Sequence, residues 1–165
     1  MYMFRAFING ITRLNNVIGN WVSLLVLVMF ALLTLEVFFR YLFSSPTVWT
    51  NELTQMLFGI YVVLSGGYLL ANRGHVNVDI FYSAMSRRTR AWVDVFTSIF
   101  FFIFMATLIY FGSSMTWESV ATLETSFSAW NPPIYPVKAA IPLAALLLFL
   151  QGVAKLLEDI AIACD

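Results

Sequence analysis

The sequence is poor in the charged residues that give a soluble domain its polar surface. Aspartate, glutamate, lysine and arginine make up 11% of the 165 residues, whereas 61% are hydrophobic, and the mean hydropathy is +0.83. A soluble chain of this length needs far more polar surface to cover its core. This shortage of charge argues against a soluble domain and indicates a membrane protein.

The sequence also has few of the residues that active-site chemistry usually needs. Cysteine and histidine occur once each, as Cys164 and His75. One cysteine allows no internal disulfide, and one histidine disfavours a haem- or quinone-binding anchor subunit. No phosphate-binding loop, nucleophile elbow or metal motif is present. The formal net charge of zero gives no indication of a nucleic-acid partner. We therefore expect a protein that is not an enzyme and holds no cofactor or metal.

Four charge-poor segments are long enough to cross a membrane as helices, which takes about 20 residues. The predicted spans are residues 15–38, 52–72, 92–115 and 136–157. The fourth charge-free run is shorter than the others, but lysines at its ends can extend to the interface. The sequence thus predicts one all-α membrane domain over residues 1–165, with four transmembrane helices.

The basic residues predict how these spans are oriented. Seven of the nine lysines and arginines lie on the side of the two termini and the loop between spans two and three, and two lie on the other side. The positive-inside rule therefore predicts that the N- and C-termini are cytoplasmic. Tryptophans and arginines near the span ends are expected to contact membrane lipids at headgroup level. These residues are Arg87, Arg88, Arg90, Trp92, Trp117 and Trp130.

The loop between spans two and three is predicted to contain a short amphipathic helix. Over residues 75–88, apolar residues recur at helical spacing with polar residues between them. Such a helix would lie in the inner interface, with its arginines among the headgroups. A strand is the alternative, because "HVNVDI" alternates in polarity. We expect His75 to form a hydrogen bond at the interface rather than to act in catalysis.

The outer end of the first span carries a charge cluster. Glu36 and Arg40 are four residues apart and can pair on one helix, while Glu52 lies at the facing end of the next helix. Charge at the membrane edge is costly enough to suggest a function. Our main interpretation is a clamp, in which Arg40 pairs with Glu36 or Glu52 and fixes two helices together. The small pair Gly66–Gly67 predicts a close helix contact.

A longer pattern in the centre of the chain resembles a known family. A Trp-x-x-Glu opens the second span, small residues end it, and an Arg-x-His-Val-x-Val-Asp element follows. The matching residues are Trp49, Glu52, Gly66, Gly67, Arg73, His75, Val76, Val78 and Asp79. In combination they resemble the small membrane subunit (DctQ-like) of tripartite ATP-independent periplasmic, or TRAP, transporters, over nearly the whole chain. The chain departs from the family where a usual Leu-Pro is replaced within "AMSRRTR".

This resemblance implies partners that the residues alone do not. Such subunits lie in the bacterial inner membrane and bind a large multi-span subunit, which carries substrate and sodium by an elevator motion. A periplasmic substrate-binding protein captures the substrate, usually a carboxylate or other organic anion. The resemblance thus implies a non-catalytic scaffold that anchors the large subunit, with sodium bound by that partner. Specific lipids and substrate identity stay open.

The second outer loop is a candidate docking surface within that arrangement. It contains Glu118 and Glu124, lacks arginine, and continues into three prolines at positions 132, 133 and 136. A rigid acidic rim could receive the periplasmic binding protein, and a structured turn before the fourth span is the alternative. A different function also stays open: a free-standing small exporter with Glu36 as its proton-coupled carboxylate. Glu36 lies at the end of a span rather than in mid-membrane, which disfavours the exporter.

Overall fold

The computed structural model describes residues 2–72 and 85–164, and nearly all of them lie in five helices. The helices are α1 (Tyr2–Ser23), α2 (Leu25–Leu42), α3 (Thr50–Ala71), α4 (Arg87–Ala121) and α5 (Tyr135–Cys164). Within the described residues, β-structure is limited to an isolated bridge between Thr125 and Pro133. The predicted interfacial helix lies largely outside the described residues, together with Arg73, His75 and Asp79.

Four helical segments are long and apolar enough to cross a membrane. They cover Ala6–Leu42, Thr50–Ala71, Arg88–Ala121 and Tyr135–Cys164. The prediction of an all-α protein with four transmembrane helices is therefore confirmed. The cytoplasmic placement of both termini stays a prediction. We call the side that holds the termini the termini side, and the side that holds the α4–α5 connection the hairpin side.

A turn at Leu24 divides the first membrane-length segment into α1 and α2. The Leu24 N–H donates to the Trp21 carbonyl at 3.2 Å, and the Leu27 N–H donates to the Leu24 carbonyl at 3.1 Å. These bonds reach back three residues, which tightens the helix locally. The backbone of Leu24 keeps right-handed helical angles, so the chain continues without a loop.

The helices form an open row rather than a closed ring. Helix α2 packs on α3, α3 on α5 and α5 on α4, while α1 packs against both α3 and α5. Helix α5 occupies the centre because its buried face is rich in small residues, which let neighbouring helices approach closely. These residues are Ala140, Ala144, Ala145, Gly152 and Ala154.

The large apolar side chains point away from the row. Phe30 of α2 is 70% exposed and Phe100 of α4 is 68% exposed, and many other phenylalanines and leucines are similarly exposed. Helix α2 buries only Met29 and Glu36. In a membrane such surfaces contact lipid or other helices, so the row offers broad apolar faces to its surroundings.

The connection between α4 and α5 is a small hairpin on one side of the row. The Ser126 N–H donates to the Pro132 carbonyl at 3.0 Å, and the Ile134 N–H donates to the Glu124 carbonyl at 3.1 Å. We call residues 122–134 the outer hairpin, after the orientation that the sequence predicts. Its backbone bonds give the loop a fixed shape, although it contains no regular strand.

Candidate functional site

The charged cluster predicted at the end of the first span is centred on Glu36. Glu36 is 4% exposed, and it accepts hydrogen bonds from Arg40 of the same helix. Arg40 Nε lies 3.1 Å from Glu36 Oε1, and Arg40 Nη2 lies 2.5 Å from the same oxygen. The guanidinium end remains half-exposed, so the pair joins a buried carboxylate to a partly hydrated cation.

The second carboxylate oxygen of Glu36 binds donors from the α2–α3 connection. The Thr47 N–H donates to Oε2 at 3.1 Å, and Thr50 Oγ1 donates to Oε2 at 2.8 Å. Thr47 Oγ1 also contacts both Glu36 Oε2 and Thr50 Oγ1. We call Glu36, Arg40, Thr47 and Thr50 the Glu36 node. Because both oxygens of Glu36 are occupied, the node ties α2 to the start of α3.

Glu52, the other predicted partner of Arg40, has a different contact in the structure. Its Oε2 accepts a hydrogen bond from Ser128 Oγ at 2.6 Å, which joins the first turn of α3 to the outer hairpin. Trp49 reinforces this connection, because its ring lies 6.4 Å from the ring of Trp130 in the hairpin. Of the two pairings that the clamp hypothesis left open, the structure contains the one with Glu36.

A second polar cluster lies on the termini side, and no charged residue in the sequence indicates it. Asn15 of α1 is 1% exposed, and its Nδ2 donates to Gln151 Oε1 of α5 at 3.0 Å. Nδ2 also lies 3.2 Å from the carbonyl oxygen of Ile11. Gln151 Nε2 in turn donates to Thr12 Oγ1 at 3.2 Å. These amides are uncharged, so a search for charges within the spans passes over them.

Gly67 completes this second cluster, which we call the Asn15 node (Thr12, Asn15, Gly67 and Gln151). A Cβ atom at Gly67 would overlap Asn15 Oδ1 and would lie 2.9 Å from Asn15 Cγ. Gly67 therefore leaves the space that the buried amide occupies. At Gly66 a Cβ would meet only Leu148 Cδ2, at 3.6 Å. The predicted close contact belongs to Gly67, and it joins α3 to α1.

Basic residues on the termini side bind the ends of neighbouring helices. Arg88 Nε donates to the Ala163 carbonyl at 3.0 Å, near the C-terminus of α5, where a cation is favoured. Lys155 Nζ lies 3.5 Å from Asp94 Oδ2 and 3.8 Å from Asp159 Oδ2. The contacts of Arg88 with Ala163 and of Lys155 with Asp94 join α4 to α5, whereas the Lys155–Asp159 pair lies within α5.

The remaining predicted lipid-interface residues lie near helix ends or in the outer hairpin. Arg90 Nε donates to the Met85 carbonyl at 3.1 Å, just before α4. Trp92 is 54% exposed and Trp117 is 77% exposed. For Arg87 the structure describes only the backbone, at the first residue of α4. The lipid contacts of these residues stay a prediction.

The two acidic residues proposed for docking have different surroundings. Glu124 Oε2 lies 2.5 Å from Lys138 Nζ. The hydrogen bond from Lys138 lowers the pKa of the Glu124 carboxyl below its ordinary value. Glu118 is exposed, and no described cation pairs with it. Lys138 therefore neutralises Glu124, while Glu118 keeps an uncompensated charge.

Comparison with known proteins identifies the family. Residues 29–162 match the family described as "Tripartite ATP-independent periplasmic transporters, DctQ component". A segment of 99 residues is 27% identical to the "Sialic acid TRAP transporter permease protein SiaT" of Haemophilus influenzae (strain 86-028NP). This similarity covers 59% of the chain but only 16% of that longer protein. With its four membrane-length helices, the chain is a multi-pass inner-membrane protein, and it belongs to the DctQ family of TRAP transporter components.

Proposed function

We propose that this chain is the non-catalytic scaffold subunit of a sodium-coupled TRAP transporter that imports an organic anion. In this role it holds the stationary part of a large elevator-type subunit in the membrane. Sodium and substrate bind the large subunit, and a periplasmic binding protein delivers the substrate. Family membership supports the transporter class, while the scaffold role is supported by the contacts of this chain.

The engagement of Glu36 is the single observation that carries the scaffold role. A carboxylate that couples transport to an ion must release its partners and exchange a proton or cation during each cycle. Glu36 instead accepts hydrogen bonds from Arg40 of its own helix, from Thr47 in the α2–α3 connection and from Thr50 at the start of α3. These bonds satisfy both oxygens of a buried carboxylate, as expected for a structural role.

The open row of helices also supports a scaffold. A row leaves two broad faces exposed, and large apolar side chains such as Phe30 and Phe100 cover much of this surface. An elevator mechanism needs one part that stays still while another part moves. A row of helices that contacts both lipid and a larger subunit would extend the stationary part and resist its displacement.

Co-expression with the large membrane subunit that the same genome encodes tests the scaffold role directly. We expect the affinity-tagged chain to co-purify with the large subunit, and the large subunit to lose yield and thermal stability when the chain is omitted. A large subunit that is equally stable and active without this chain would contradict the proposal. Since the relative is named as a sialic acid permease, and sialic acids are carboxylates, a sialic acid is a suitable first substrate.

The exporter hypothesis makes a different prediction for Glu36. A Glu36→Gln variant removes the titratable group while keeping the size of the side chain. If the chain is a scaffold, assembled complexes with this variant should keep the wild-type transport rate per complex and the same dependence on external pH. Proton-driven transport by the wild-type chain alone in liposomes, lost in Glu36→Gln, would favour the exporter.

A further inference from the structure

The tip of the outer hairpin presents an apolar side chain in an unusual conformation. Phe127 is 89% exposed, the highest exposure among the large apolar residues that the structure describes. Its backbone φ is 56°, in the left-handed region. Bulky residues rarely adopt this conformation, because Cβ crowds the following carbonyl oxygen. The position therefore combines a backbone cost with the cost of exposing a phenyl ring.

Several hydrogen bonds hold the tip in this conformation. The Phe127 N–H donates to Asn131 Oδ1 at 3.2 Å, and the Asn131 N–H donates to Ser128 Oγ at 2.9 Å. Ser128 Oγ also donates to Glu52 Oε2, so the tip is fixed to the first turn of α3. The backbone at Phe127, and with it the Cα–Cβ direction, is thus fixed relative to the membrane helices, and not only within the loop.

The described charged residues on the hairpin side have a net negative charge. The described charged residues there are Glu36, Arg40, Glu52, Glu118, Glu124 and Lys138. Arg40 pairs with Glu36, and Lys138 pairs with Glu124. Four acids and two bases give a net charge of −2, carried by Glu52 and Glu118. A partner at this surface is therefore favoured if its own surface is basic.

We propose that Phe127 is the anchor by which this chain docks a soluble protein whose apolar pocket is rimmed by lysine or arginine. The identification of this partner as the periplasmic substrate-binding protein rests on the proposed function. Because the backbone at the tip is already fixed, only the side-chain torsions of Phe127 lose freedom when the ring enters a pocket, and aromatic anchors with a polar rim dominate many interfaces. The docking contact thus lies at Phe127, on a side of the row whose uncompensated charge is acidic, and not at Glu124.

A membrane anchor would need different features. A ring that inserts into lipid requires no fixed backbone direction. A lipid anchor therefore does not account for the hydrogen bonds that hold the Phe127 backbone at positive φ. Anionic headgroups attract basic segments and repel acidic ones. The uncompensated charges of Glu52 and Glu118 therefore favour a basic protein partner over an anionic lipid surface.

Phe127→Gly is the sharpest test, because it separates binding from folding. Glycine adopts positive φ without steric cost, so the variant should fold with equal or higher thermal stability. We expect the assembled transporter complex carrying Phe127→Gly to bind the periplasmic binding protein about 10- to 30-fold more weakly. Leu123→Gly is the matched control, since Leu123 is 68% exposed and its φ is 49° in the same hairpin. Its affinity should match that of the wild type.

The measurement is the Kd of the purified complex for the immobilised binding protein, together with the melting temperature of each variant. Equal affinity of the wild type and Phe127→Gly would overturn the docking role. Equal weakening by Leu123→Gly would overturn it too, because the effect would then belong to the loop as a whole. A wild-type complex that fails to assemble with the large subunit would instead count against the proposed function.

Discussion

The two polar nodes perform similar tasks on opposite sides of the row, with different chemistry. The Glu36 node ties α2 to α3 through a carboxylate, a guanidinium and two threonines. The Asn15 node ties α1 to α5 through amides and to α3 through the space that Gly67 leaves. Charged groups can hold two helices by hydrogen bonding alone, whereas the neutral node also depends on close packing.

Helices α2 and α5 differ in the residues that they bury against their neighbours. Both are strongly apolar, yet α5 buries a face of alanines while α2 buries only Met29 and Glu36. In a membrane, large apolar residues gain nothing from leaving lipid for a helix interface, so small and polar residues decide the contacts. Helix α2 is consequently held by a polar node, and α5 by both packing and a polar node.

The largest effect should come from closing the space at the Asn15 node. Gly67→Ala places a methyl group where the Asn15 amide lies, and such overpacking costs up to about 3 kcal/mol of unfolding free energy. Gly66→Ala is the matched control, because its Cβ would make an ordinary contact with Leu148. Melting temperatures in detergent–lipid micelles should fall clearly for the first variant and little for the second.

A second substitution, at Asn15, should restore part of the stability that Gly67→Ala loses. In the double variant Gly67→Ala with Asn15→Ala, the new methyl group meets a shorter side chain. We expect the double variant to be more stable than Gly67→Ala alone. If both are equally unstable, the contact between Asn15 and Gly67 does not limit the packing of α1 against α3.

The next largest effect should come from neutralising the other node. Glu36→Gln replaces a carboxylate oxygen with an amide that cannot accept from Arg40 and both threonines together. Loss of hydrogen bonds to a buried charged group costs about 1.5–3 kcal/mol. Glu158→Gln, at an exposed glutamate of α5, is the control and should leave the melting temperature unchanged. A wild-type melting temperature for Glu36→Gln would remove the clamp from the account.

A smaller effect should follow from removing one amide. Gln151→Leu introduces an apolar side chain of similar size and deletes the hydrogen bonds to Asn15 and Thr12. Interhelical hydrogen bonds within membranes contribute about 0.6 kcal/mol each on average, and this substitution removes two of them. We therefore expect a loss of about 1 kcal/mol, below that of Glu36→Gln. A larger loss for Gln151→Leu would reverse the ranking of the two nodes.

The smallest effect concerns the half-buried ion pair between Glu124 of the outer hairpin and Lys138 of α5. Hydrogen bonding from Lys138 lowers the pKa of Glu124 from its ordinary value of 4.5. The stabilisation is therefore present above about pH 4.5 and is lost as pH falls through the lowered pKa. Relative to Glu124→Gln, the wild type should melt slightly higher at pH 7, and the difference should vanish in acid. A difference that grows in acid would contradict this pairing.

The sequence was informative wherever a residue type was scarce. Charges are rare in the chain, so the spans and the pairing of Glu36 with Arg40 could be predicted from charge positions alone. The same scarcity drew attention to Glu52, but its contact with Ser128 depends on how the outer hairpin folds back. That geometry arises from backbone bonds that no local pattern indicates.

The neutral features were harder to predict. Asn15 and Gln151 are 136 positions apart, and an amide in an apolar run resembles an interfacial residue until its partner is known. The division of the first span at Leu24 has no proline or glycine to indicate it. The left-handed backbone of Phe127 likewise could not be predicted from the sequence, because phenylalanine rarely adopts positive φ.

Reconstitution into liposomes tests the central claim most directly. The purified chain alone, and the chain with the large subunit and the binding protein, would each be given the labelled substrate of that binding protein under an inward sodium gradient. We predict uptake only by the complete system, with none above empty liposomes for the chain alone. Sodium-driven uptake by this chain without its partners would contradict the scaffold role.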